Sequence, residues 1–97
     1  MKNIIMYSSM HWGGCPPVKA WLSAHNVDFT IIDISTGMLP LKQFLKYRDT
    51  REEFAEIKAA GRVGLPCIVI NKGEKVIFTP DEIAAELGIP NDVANYK

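Results

Sequence analysis

The sequence is short of cysteine and histidine, with two of each in 97 residues. Cys15 and Cys67 stand far apart in the chain, and no zinc-like spacing joins them to the histidines, so no metal is expected. An excess of charge is also lacking, because 11 Lys and Arg balance 11 Asp and Glu. With no basic stripe, there is no electrostatic reason to expect nucleic acid or an anionic membrane as partner. The basic residues between Lys42 and Arg62 interleave with Asp49, Glu52, Glu53 and Glu56, which is the pattern of a solvated helix surface. Long apolar runs are missing too. Ile4-Ile5-Met6 is too short for a signal peptide, and no segment approaches transmembrane length, so a cytoplasmic location is the default expectation. In a reducing cytosol, both cysteines are expected as thiols rather than as a permanent disulfide.

What is present suits one small domain spanning residues 1–97, with 47% hydrophobic residues, an ordinary share for a globular protein. "KNIIMYS" reads as a short buried strand, followed by the loop "SMHWGG". From Pro16 to about His25, Val18, Trp21 and Leu22 fall at helical spacing. Pro16 and Pro17 fit the first turn, where backbone N–H groups have no intrahelical acceptor. Asn26 is a left-handed terminator. "VDFTIIDI" is rich in β-branched residues and suits a strand inside a covered sheet. Met38, Leu41, Phe44 and Leu45 mark a second helix, and "TREE" a fresh start with Thr50 as N-cap and Glu53 closing a capping box. That third helix, with Phe54 and Ile57 inward, stops near Gly61. "LPCIVI" and "KVIF" are strands joined by the hairpin turn "NKGE", and "TPDE" opens the last helix with Thr79 as N-cap, Pro80 at the first helical position and Glu82 closing a second box. The expected architecture is α/β, with the order β-α-β-α-α-β-β-α and a four-stranded mixed sheet, two strands parallel plus a hairpin, flanked by helices. Proline at a strand mouth is reconciled with the sheet by a cis Leu65–Pro66 bond.

These features together resemble the glutaredoxin family of the thioredoxin-like fold, over most of the chain from Lys2 to Gly88. "IIMYSS" is similar to its first strand, "CPPV" to its active-site motif, "GLPCIVI" to the strand entered through its cis-proline, and "FTPDEI" to the start of its last helix. "FLKYRDTREEF" further resembles a bacterial glutaredoxin-related subgroup. There are departures. Val18 replaces the second active-site cysteine, and Ser9 or Trp12 stands where the family often carries a basic residue. The one-cysteine iron–sulfur type reads Cys-Gly-Phe-Ser, which this chain does not.

The resemblance implies thiol–disulfide exchange with Cys15 as nucleophile and glutathione as co-substrate. Glutathione or glutathionylated protein thiols are then the partners of a monomer. Its physical basis is the start of a helix, where free N–H groups and the dipole favour a thiolate, in a setting that Gly13 and Gly14 should leave exposed. The two prolines remove two of those donors and temper the effect. With Val18 unable to resolve a mixed disulfide, the second thiol comes from solution. Cys67 is either a small buried filler or a candidate resolving thiol, depending on whether the fold brings it to Cys15. Glutathione would pair with the backbone of Leu65 beside Pro66, and set a carboxylate at the helix start formed by Thr79 and Asp81. On sequence alone, plain helix capping is the simpler account of Thr79, Asp81 and Glu82. His11 is a candidate proton donor, and Trp12 either covers the groove or packs. The alternative is a thioredoxin-fold binding module that has lost reductase activity.

Overall fold

The computed structural model describes residues 3–9 and 15–96. Strand β1 (Ile4–Ser8) is followed by α1 (Cys15–Ala24), β2 (Thr30–Asp33) and α2 (Met38–Thr50). A 3-10 turn at Glu52–Phe54 runs into α3 (Ala55–Ala59), and then come β3 (Cys67–Ile70), β4 (Lys75–Ile77), α4 (Pro80–Leu87) and a 3-10 turn at Val93–Tyr96. The strands form one sheet in the order β2-β1-β3-β4. β1 and β2 are parallel, with Ser8 opposite Asp33, whereas β1–β3 and β3–β4 are antiparallel, with Tyr7 opposite Cys67 and Ile68 opposite Ile77. Among the described residues no helix is long and apolar enough to cross a membrane.

Side chains alternate across a strand, so each strand feeds two cores. On one face Met6, Ile68, Ile70 and Ile77 meet Val18, Trp21 and Leu22 of α1 and Ile83 of α4. On the other, Tyr7, Cys67, Val69 and Val76 meet Phe44 of α2, Phe54 and Ile57. Phe54 is the hub of this second layer. Its ring meets Phe44 edge-on at 5.8 Å and Phe78 edge-on at 4.8 Å.

Three sequence expectations change. β2 lies at the edge of the sheet rather than inside it, and it pairs only over Thr30–Asp33. Thr50 is not an N-cap: its hydroxyl donates back to the Lys46 carbonyl and holds it in the last turn of α2. The chain breaks instead at Arg51 (φ −96°, ψ 134°), whose guanidinium claims Glu53 at 2.8 Å and so removes it from any capping box. Met38, placed on the apolar stripe of the second helix, is 66% exposed. Phe44, further along, is the buried residue of that helix.

The C-terminal segment is fastened to α1. Trp21 Nε1–H donates to the Pro90 carbonyl at 3.0 Å, and His25 Nε2 meets Asp92 Oδ1 at 2.8 Å. Trp21→Phe should therefore cost about 1–3 kcal/mol, through the lost donor and an unpaired carbonyl. The check is the denaturant midpoint against wild type; an unchanged midpoint would show that the bond contributes nothing.

Candidate active site

The topology gathers several segments at one end of the sheet. β1 and β2 both end there, β3 begins there with Cys67 opposite Tyr7, and β4 ends there before Thr79 opens α4. The start of α1 at Cys15, the Leu65–Pro66 entry into β3 and the Thr79–Asp81 turn therefore share this end. His11 and Trp12 lie outside the described residues.

α1 begins at Cys15 itself, with Pro16 and Pro17 in its first turn. Cys15 is not the open thiol expected from its position. It is 4% exposed and belongs to the core layer of Met6, Val18 and Trp21. Its thiol pKa is raised above the ordinary value. Burial is the main cause, the Asp33 carboxylate adds to it, and the Ser9 backbone N–H, which donates to the sulfur, opposes it. The first turn supplies little relief, because two of its residues have no N–H to offer. Helix position alone thus does not determine this thiol's chemistry.

Cys15 does reach a cavity. A space of about 300 Å³ opens between α1 and the ends of β1 and β2, lined by Met6, Ser8, Ser9, Cys15, Pro16, Lys19, Ile31 and Asp33. Asp33 is held by its neighbours: its Oδ1 accepts the Ser35 N–H at 2.8 Å as well as the Ser35 hydroxyl, which lies 3.0 Å from Ser9 Oγ. Asp33 and Lys19 escaped the sequence reading as site residues. The available signals were the four-residue spacing from Cys15 to Lys19 on one helix face, and the position of Asp33 at the carboxyl end of a parallel strand, where ligands of α/β sheets collect.

The structure does not bring the two thiols together. Both are free. Cys67 is fully buried in the layer of Tyr7, Phe44 and Phe54, on the opposite face of the sheet from Cys15. Burial, with Glu53 as a lesser cause, pushes its pKa up to about 12. It packs as the small filler that sequence allowed.

The Leu65–Pro66 bond is cis, and both residues are half-buried. The loop leading to them is held from α2. Arg48 Nε donates to the Val63 carbonyl at 3.0 Å, and its Nη2 donates to Arg62 O at 2.7 Å. Gly64 has φ +98°, and a Cβ there would come within 3.0 Å of the Phe54 ring, so glycine is required on both counts. Thr79 is exposed and caps α4, its hydroxyl accepting the Glu82 N–H at 3.2 Å, and the Asp81 carboxylate accepts from Asn91 Nδ2. None of Leu65, Pro66, Thr79 and Asp81 is among the residues lining the cavity at Cys15. Among the described residues, no cluster of three His, Cys, Asp or Glu is gathered to hold a metal.

Comparison with known proteins agrees with this geometry. A Haemophilus influenzae protein described only as uncharacterized is 34% identical over 79 residues, covering 78% of this chain and 87% of that relative. The family model described as Glutaredoxin matches residues 4–76, from the first residue of β1 into β4. The match takes in Cys15 at the start of α1 and Pro66 at the entry to β3, so the chain belongs to the glutaredoxin family.

Proposed function

We propose that this protein catalyses glutathione-dependent thiol–disulfide exchange with Cys15 as its only working thiol. The observation that carries the reading is Cys15, the first residue of α1, lining a cavity at the strand ends of the sheet in a glutaredoxin-family chain. The Cys15 thiolate attacks the sulfur of a glutathione mixed disulfide and releases the other thiol. A second glutathione then attacks the glutathionylated Cys15, leaving as glutathione disulfide and restoring the thiol. A second thiol from solution is consistent with Val18 at the position one turn along and with Cys67 buried across the sheet. In this reading Leu65 and Pro66 offer backbone to the extended peptide, and the α4 start at Thr79 and Asp81 receives a glutathione carboxylate. The protein acts as a single-domain monomer in the cytoplasm.

The test is the glutathione-supported reduction of a glutathionylated peptide. Wild type and Cys67→Ala should both turn over, and Cys15→Ser should fall to the uncatalysed rate. Turnover that survives Cys15→Ser would defeat the proposal. The burial of Cys15 and its raised pKa favour a second reading, a binding module of the same fold without reductase activity. Wild type that never exceeds the uncatalysed rate, yet shifts its Leu65 and Thr79 amide resonances with peptide ligands, would establish that reading instead.

A further inference from the structure

The cavity beside Cys15 carries a specific chemical pattern. One wall, the end of β2, brings Asp33 to the cavity; another, α1, brings Lys19, one turn beyond Cys15. Ser8 and Ser9 add polar groups, while Met6, Ile31 and Pro16 supply an apolar floor. Its volume of about 300 Å³ is at the lower end of small-molecule sites, roughly 300–1,000 Å³. That is room for one amino acid at the sulfur, so the remainder of a tripeptide would lie outside this cavity. A ligand complementary to these walls has a short stem ending in sulfur, and both an ammonium and a carboxylate close to it. Resting on the reading of Cys15 as nucleophile, we propose that this cavity selects a small α-amino-acid disulfide of the cystine type, with its ammonium on Asp33 and its carboxylate on Lys19.

The Asp33 carboxylate is oriented at the end of β2 by the Ser35 N–H and hydroxyl, both of which donate to its Oδ1. Lys19 is exposed on α1 and lines the cavity one turn from Cys15, and helical side chains generally lean toward the helix start. The step balances without another reagent. Cys15 gives its proton to solvent and its sulfur attacks one sulfur of cystine. The Cys15–cysteine disulfide forms as the cystine S–S bond breaks, and the departing cysteine thiolate takes up a proton. The Cys15 sulfur is oxidised and one cysteine is released reduced.

The experiment follows adduct formation on the full chain by intact mass, with cystine, cystamine (no carboxylate), 3,3′-dithiodipropionate (no ammonium) and glutathione disulfide. Each rate is divided by that of a model thiol with the same disulfide. Cystine should exceed each one-charge analogue by about tenfold. Asp33→Asn should erase the preference over dithiodipropionate, and Lys19→Gln the preference over cystamine. Ratios within one variant cancel any change in thiolate fraction, and the side-chain amide introduced by Asp33→Asn keeps an oxygen for the Ser35 N–H. Adducts with glutathione disulfide but equal normalised rates for the three small disulfides, or ratios unmoved in both variants, would overturn this inference alone. No adduct with any disulfide would overturn both it and the reading of Cys15 on which it rests.

Discussion

Alkylation of Cys15 by iodoacetamide should speed up about tenfold per pH unit from pH 6.5 to 8.5, without a plateau. The sign follows from the raised pKa. A thiol that titrates above the assay range is almost wholly protonated within it, so its thiolate fraction, and hence its rate, grows tenfold per unit. Two effects compete at this sulfur. The helix start and the Ser9 N–H favour the anion, while burial at 4% exposure and the Asp33 carboxylate oppose it. Burial prevails because Pro16 and Pro17 withhold two of the donors that a helix start normally offers. Replacing Asp33 by Asn removes one opposing charge and should raise the rate at pH 7.5 by roughly threefold or more. Peptide mapping assigns the label to Cys15 or Cys67. A rate that levels off below pH 7 would mean a stabilised thiolate, contrary to the geometry described above.

Phe54→Ala should be the most damaging core substitution, at about 3–5 kcal/mol. A domain of this size is held by only ~5–15 kcal/mol, so the variant should unfold at a much lower guanidinium midpoint, read by circular dichroism. The magnitude comes from position. Phe54 is fully buried, stands edge-on to both Phe44 and Phe78, and fills the space that Gly64 leaves beside it. Removing the ring opens a void that the flanking helix and sheet close only in part. The loop through Arg62 and Val63, fastened by Arg48, also loses the surface beneath it just before Leu65. A loss below about 1.5 kcal/mol would mean that the neighbouring aromatics collapse into the gap.

Local chemistry was legible in the sequence where it depended on neighbours in the chain. Thr79 caps α4 with Pro80 in its first turn, Asn26 leaves α1 with positive φ, and Gly73 turns the hairpin with positive φ. The helix stripe of Val18, Trp21 and Leu22 is the buried face of α1. The order of elements and the mixed sheet followed from the same signals. Properties set by distant partners were not legible. Thr50 looked like a cap because the sequence does not reveal that Arg51 turns aside to hold Glu53 and the Gly73 carbonyl. β2 reads as a strand covered on both faces because Ile31, Ile32 and Ile34 are apolar; they do pack against the two cores, but at the sheet edge they stay only partly buried. Cys15 looked exposed because its shielding comes from residues scattered over the fold, including Met6 and Trp21. Asp33 and Lys19 become site residues only once β2 pairs with β1 beneath α1.

The separation of the two sulfurs by the sheet gives the molecule an internal gauge of its own integrity. Cys67, wholly enclosed and with a pKa near 12, meets an external reagent only when the Phe44–Phe54 layer comes apart. Under native conditions the slow modification of that sulfur therefore counts the rare molecules that have opened, while Cys15 reports independently on the other side.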